Sequence, residues 1–237
     1  MSVRAGGRRY TPAGVRATHR GGGLYSSAVS QRIGSVMAAA AGNAGLHPTV
    51  LTLASLTVGL LSSLLGALAG VHSAWLLGLV ALLGWQLAYA FDCADGQLAR
   101  ASGQASAYGA RIDVLVDFTV QTGLVAAVVT VAAHWSHPRP ALLGAYATLW
   151  VVSLFTSVLA GSDAEGATRL LGSGSPAVAV LKLVRDYGFV VLVLGLLLSV
   201  RPSITVWFVL FFLVLNGLFL LVSVGRAAQL SLRHPGR

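Results

Sequence analysis

Six stretches of this chain are apolar for almost the length needed to cross a bilayer or more, and that leaves few folds open to it. They cover, approximately, residues 49–70, 73–91, 112–133, 141–160, 187–200 and 203–224, the fifth being short and expected to begin earlier, near Val178. About 20 helical residues, rising 1.5 Å each, cross the roughly 30 Å of hydrocarbon. No water is available there, so backbone groups must bond within their own segment, and the segments are predicted to be helices. Of the 237 residues 56% are hydrophobic and only 10% charged, which excludes a water-soluble globular domain. The lone Cys93 cannot form an internal bridge, and no structural zinc cluster is present in the sequence. The expected fold is an all-α integral membrane bundle of six transmembrane helices.

The ends of the chain read differently. Residues 1–23 are polar and rich in glycine and arginine, with no apolar run typical of a cleaved leader, and are expected to be a disordered basic cytosolic tail. Residues 24–40 are weakly amphipathic and read as a juxtamembrane helix lying on the membrane surface. The membrane domain is expected over residues 24–225, followed by a second basic tail, 226–237. With the N-terminus in the cytosol, fourteen of the sixteen Lys and Arg residues fall on the inner side and only Arg139 and Arg201 on the outer. That bias orients the bundle with both termini inside. It also accounts for the formal charge of +9 without nucleic acid. Trp75, Trp135 and Trp207 fall near the outer ends, where interfacial tryptophans belong. A bacterial cell membrane is the expected location.

Only seven acidic residues exist, all on the expected cytosolic side. Asp92 and Asp95 are three apart, and Asp113 and Asp117 four apart, so each pair shares a helix face. Like charges at that spacing repel, and charge at a membrane boundary is costly. A divalent cation resolves the conflict. All-oxygen ligands suit Mg2+ or Mn2+, and four carboxylates can hold two ions. Asp163, Glu165 and Asp186 read instead as solvated helix-end residues.

From Asp92 the chain reads DCADGQLARASGQASAYGARIDVLVD, or D-x2-D-G-x2-A-R-x8-G-x3-D-x3-D. This resembles the signature of the CDP-alcohol phosphotransferase family, membrane enzymes of phospholipid head-group synthesis. The six-span plan and the juxtamembrane helix extend the likeness to most of the chain after Leu24. The resemblance implies that Asp92, Asp95 and Asp113 are metal ligands and that Asp117 is both a ligand and the candidate base. It implies attack of an alcohol hydroxyl on the β-phosphorus of a CDP-linked lipid, with CMP leaving, and a homodimer as the assembly. Beside it, the residues carry their own argument. Gly96 and Ala99, next to the acids, leave room for the CDP donor to approach the helix, and Gly109 does so from the facing helix, although helix packing also explains a glycine. Arg100 offers forked donors to a pyrophosphate oxygen, or snorkels to lipid phosphate.

The acceptor is less defined. Asp113 is followed by Val114 and Asp117 by Phe118, which weakens the likeness to the glycerophosphate and cardiolipin branches. The family's P-N-x-x-T at the first span reads Pro48-Thr49-Val50-Leu51-Thr52 here, without the asparagine. Lys182 and Arg185, with Arg111 and Arg169, could bind a phosphorylated acceptor such as inositol phosphate or glycerol phosphate, or be ordinary inner-side charge. The glycine-rich stretch 161–176 reads as a flexible connection, His134 and His137 as surface residues, and Cys93 as a packing residue between two ligands. The resulting expectation is a transferase of the phosphatidyl group of CDP-diacylglycerol, or a similar CDP-lipid, to an alcohol acceptor. A soluble CDP-alcohol donor and, from another class, a small cation transporter are the competing readings. The transporter fits less well, because the acids sit at one end and no internal repeat is visible.

Overall fold

A computed structural model describes residues 9–19, 22–160, 183–184 and 186–233. Among the described residues the secondary structure is entirely helical. Three short N-terminal helices, α1 (Pro12–Arg16), α2 (Leu24–Ala28) and α3 (Ser30–Asn43), precede the long helices. These are α4 (Pro48–His72), α5 (Trp75–Ser102), α6 (Ala107–Ser136), α7 (Pro140–Ala160), α8 (Tyr187–Val200) and α9 (Thr205–Arg233), with a 3-10 turn at Pro202–Ile204. Four stretches, Pro48–His72, Trp75–Ser102, Ala107–Ser136 and Pro202–Val222, are long and apolar enough to cross a bilayer, which marks a membrane protein. Pro140–Thr156 and Tyr187–Val200 are apolar but shorter.

The helices overrun the apolar stretches at the acidic end. α5 continues past Phe91 to Ser102, and α6 starts at Ala107, ahead of Ile112. What stops them is local. Gly103 takes the left-handed conformation after α5 (φ 73°), and the Ser106 hydroxyl caps α6 by accepting from the Gly109 N–H at 3.0 Å. All four motif aspartates therefore ride on continuous helix, within the last three turns of α5 or the first three of α6.

α4 is the spine of the bundle and packs along both α5 and α6. Its buried face is a stripe of small residues, Ser55, Gly59, Ser62, Ser63, Gly66 and Gly70, which lets neighbouring backbones come close. A Cβ at Gly59 would stand 2.6 Å from Val120 Cγ1 on α6, closer than any real contact. Trp85 of α5 lies in this interface and donates its Nε1–H to Ser63 Oγ at 3.1 Å. A second cluster joins α6, α7, α8 and α9, centred on Trp150 stacked on Phe212 at 4.4 Å, with Leu124, Val128, Leu194 and Val209 buried around it. At the end away from the acids, Trp135 ties α6 to α4 through its Nε1–H and the Gly70 carbonyl, 2.8 Å. Trp75, Trp135 and Trp207 are exposed at that end.

The N-terminal region departs from expectation. Residues 9–19, predicted to be part of a disordered tail, hold α1, whose Val15 is buried against Ala38, Leu51 and Leu98. Thr11 caps α1 and Pro12 starts it, and Tyr10 exchanges two backbone–side-chain hydrogen bonds with Asn43, each 2.9 Å. The 24–40 segment is two helices broken at Val29. α3 turns small residues toward α5, where a Cβ at Gly34 would come 2.9 Å from the Ala90 carbonyl, and leaves Ile33 and Val36 outside. At the other end, the segment predicted as a tail from Arg226 is a continuation of α9 as far as Arg233.

Candidate active site

The acids of the motif meet at the end of the bundle where α5 hands over to α6. A cavity of about 210 Å³ opens there, and Asp92, Asp95 and Asp113 all line it, together with Gly96 and Arg100. The α5 contribution follows from helix geometry. Tyr89, Asp92, Cys93, Gly96 and Arg100 fall at helical spacing on one face, and all five line the cavity. Asp92 is half-buried and lies within reach of the like charges of Asp117, Asp113 and Asp95, so the four carboxylates influence one another although Asp117 lies outside the cavity wall.

Each acid is held differently. Asp95 is 4% exposed and accepts a 2.5 Å hydrogen bond from Thr52 Oγ1, the threonine of the Pro48–Thr52 pattern at the head of α4. Position 49, where the family's asparagine is missing, instead holds a threonine whose Oγ1 lies 3.0 Å from His47 Nδ1 in the cap of α4. Asp117 accepts from Gln121 Nε2 one turn on (2.8 Å), and Gln121 in turn accepts from Trp150 Nε1 (3.2 Å), which fixes the amide's direction. Asp113 Oδ1 is buried with no hydrogen-bond partner. A buried carboxylate oxygen without a donor is costly, and such an atom points to a missing cationic or hydrogen-bonding partner. Among the described residues, no three His, Cys, Asp or Glu side chains are drawn together in a group that would itself hold an ion.

Arg100 lines the same cavity as the acids. Its charge acts on Asp95 and Asp113, its Nε–H donates to the Thr18 carbonyl at 2.8 Å, and its guanidinium lies over Gly96. A Cβ at Gly96 would stand 3.1 Å from Arg100 Nη1, so the glycine makes room for the arginine head. Two other predicted donor contacts are placed less directly. Ala99 is half-buried and outside the cavity lining. Gly109 sits one turn outward of Asp113, and only Ser106 Oγ lies within 4 Å of where its Cβ would be. Lys182 and Arg185, with Asp163, Glu165, Arg169 and the 161–176 stretch, lie outside the described residues.

Several cavity residues escape a reading of the sequence. His19, Gly22 and Gln31 come from the N-terminal region, and their approach depends on how α1 to α3 fold back onto α5. Thr18 Oγ1 donates to the Gln97 carbonyl (3.2 Å), which helps anchor that return. Tyr89 and Gln97, by contrast, sit on the motif helix, and Tyr89 is legible from its spacing to Asp92.

Asp186 is the clearest correction. Expected at a solvated helix end, it is 4% exposed. It caps α8, accepting from the Gly188 N–H at 3.2 Å, and also accepts from the backbone N–H of Ser26 at 2.9 Å and from the Ser26 hydroxyl. Gly23 has no room for a side chain because the Asp186 carboxylate occupies that space. Beside it, Tyr25 donates to Gln86 Oε1 (3.3 Å), and Gln86 Nε2 donates to the Gly188 carbonyl (3.0 Å). The Tyr25 phenol is pushed above its ordinary range, first by burial and then by the charge of Asp186, so it stays protonated as that bond requires.

Helices and site together define an integral membrane protein with an acid-lined cavity at one end of its bundle. Residues 45–215 match the family model for CDP-alcohol phosphatidyltransferase, most of the chain and the whole motif, and the chain belongs to that family. The family is one of transferases that move a phosphatidyl group from a CDP-alcohol. No curated protein matches the chain.

Proposed function

We propose that this protein transfers the phosphatidyl group of CDP-diacylglycerol, or a similar CDP-linked lipid, to an alcohol acceptor and releases CMP. The observation that carries the reading is the convergence of Asp92, Asp95, Asp113 and Arg100 on one cavity in a member of this family. Placing that cavity on the cytosolic face of a six-span bundle, with α3 along the membrane surface, lets a nucleotide head enter from water while acyl chains stay in lipid. The exposed Ile33 and Val36 support the surface placement. A homodimer is part of the proposal, on the family's resemblance alone.

The donor chemistry suits hard divalent cations, Mg2+ or Mn2+, because the candidate ligands are all oxygens and the buried Oδ1 of Asp113 has no other partner, although the carboxylates are not drawn into a ready-made ion group. Asp92, Asp95, Asp113 and Asp117 would hold them. Bound there, such ions would neutralise the pyrophosphate and the departing phosphate. The chain's own residues do the rest. Arg100 binds a pyrophosphate oxygen with its forked donors. Thr52 keeps Asp95 turned to the cavity, and Gln121, held by Trp150, keeps Asp117 in one orientation. Asp117, outside the cavity wall but one helical turn from Asp113, is assigned the proton of the acceptor hydroxyl on the family resemblance. The hydroxyl oxygen bonds to the β-phosphorus as the bond to the bridging pyrophosphate oxygen breaks, and CMP departs.

The test is CMP release by the purified protein from CDP-diacylglycerol and a panel of alcohols, with lipid products separated by chromatography. A CMP-producing acceptor in wild type, lost in Asp117→Asn, supports the reading. Turnover by Asp117→Asn at the wild-type rate removes Asp117 as base. Within that panel, Lys182→Ala and Arg185→Ala should raise the KM of a phosphorylated acceptor and leave that of an uncharged alcohol unchanged.

A further inference from the structure

Tyr89 lines the acid cavity one helical turn before Asp92, and its hydroxyl lies 2.9 Å from Ser26 Oγ. Distance alone leaves the donor open in that pair. The next contact decides it. Ser26 Oγ also reaches Asp186 Oδ1, a carboxylate oxygen that takes the Gly188 N–H as well, so the serine hydroxyl is the donor there. Three donors converge on Asp186, from Ser26 N, Ser26 Oγ and Gly188 N, which is what an acceptor-only group requires. A serine has a single hydroxyl hydrogen, so that of Ser26 is committed to Asp186. The hydrogen between Ser26 and Tyr89 must then belong to Tyr89. With its own hydrogen spent on Ser26, the phenol oxygen offers the cavity lone pairs and nothing else.

The surroundings hold that arrangement rigid. Tyr89 packs edge-on against Tyr187 at 5.0 Å, and Gly188 approaches its ring so closely that a Cβ would stand 3.1 Å from Tyr89 Cε1. The α5 lining of the cavity therefore carries two chemically opposite groups, eleven positions apart. Arg100 supplies donors and suits phosphate oxygens, whereas Tyr89 supplies an acceptor, which a phosphate oxygen cannot use and a substrate hydroxyl or amino group can.

We infer that Tyr89 is a substrate-contacting residue that accepts a hydrogen bond from an O–H or N–H of a bound substrate, with Ser26 and Asp186 as the positioning residues that fix its direction. This rests on the transferase reading above and adds a polarity to its site. The hydrogen comes from the acceptor alcohol or from the ribose or base of the CDP donor. In either case the substrate lies with its phosphates toward Arg100 and a neutral donor group toward Tyr89.

The experiment measures kcat and both KM values, for CDP-diacylglycerol and for the alcohol, by CMP release, with melting temperature measured in the same detergent. In Tyr89→Phe one KM should rise about fivefold, the size of one lost hydrogen bond, with kcat within about twofold of wild type. Which KM rises names the source of the hydrogen. Ser26→Ala frees the Tyr89 hydroxyl to rotate and should raise the same KM about twofold, and Ser26→Thr, which restores a hydroxyl, should return it. Unchanged KM values in a folded Tyr89→Phe overturn the inference, as does an equal loss on both substrates that follows a lowered melting temperature. If Tyr89→Phe does not fold, wild-type KM values in Ser26→Ala overturn it. No CMP release by wild type with any donor and alcohol pair sinks the transferase reading itself, an outcome distinct from those.

Discussion

Asp186 and Asp113 are acids of the same chain at the same end of the same bundle, yet the protein treats them in opposite ways. Asp186 receives three hydrogen bonds from two elements, α2 and the start of α8, and its carboxylate is fully enclosed. Asp113 has an oxygen buried without any donor, stands near the like charge of Asp117, and faces a cavity shared with two more aspartates. A buried carboxylate with its donors in place is architecture: it joins segments far apart in sequence and fixes its neighbours. A buried carboxylate without them is unstable alone and belongs to a site that something else completes. Burial does not separate the two roles; hydrogen-bond satisfaction does.

The sharpest way to break this contrast is to remove one charge from each side. Asp113→Asn should cut CMP release by about a thousandfold while leaving the melting temperature unchanged or raised, because it relieves repulsion with Asp117 and Asp92. Appreciable turnover in that variant would merge the two classes of acid. Asp186→Ala should do the reverse. It strands the Ser26 and Gly188 N–H groups, at about 1–3 kcal/mol each, so melting should fall by several degrees, with a smaller loss of turnover per folded molecule.

Smaller effects refine the same boundary. Thr52→Val keeps the shape of the head of α4 but deletes the 2.5 Å donor to Asp95. A drop in kcat of about tenfold, or ~1.4 kcal/mol, with melting near wild type would show that this bond orients the acid rather than supporting the bundle. Gly59→Ala lies outside both classes. The alanine gains about 1 kcal/mol of helix propensity, but its Cβ would sit 2.6 Å from Val120 Cγ1. Overpacking costs about 1–3 kcal/mol and outweighs that gain, so melting should fall slightly with both KM values unmoved.

Much of the site could be read before any coordinates. The spacing of Asp92 and Asp95, and of Asp113 and Asp117, follows from the helical repeat, and the same repeat carries Tyr89, Gly96 and Arg100 to the cavity. Thr52 ends the Pro48–Thr52 pattern, but nothing in that pattern names its partner Asp95, 43 positions away. The stops at Gly103 and Ser106 carry ordinary capping residues, yet the helices reach past the apolar stretches because caps, not hydropathy, end a helix. The packing of α1 was signalled only by Thr11-Pro12 and the apolar Val15, in a segment whose composition reads as a tail. The interior position of Asp186 had no local signal at all, since its three donors include two from Ser26, 160 residues earlier.

Sequence alone determined that this chain is a helical membrane protein of a transferase family and that four acids share one end, because hydropathy, helical period and motif spacing are local properties. Only the tertiary structure decided which acids face a cavity, which way the Tyr89 hydroxyl points, and that the N-terminal segment forms part of the wall. Those outcomes depend on hydrogen bonds and close approaches between residues distant in the chain, and no periodicity encodes them.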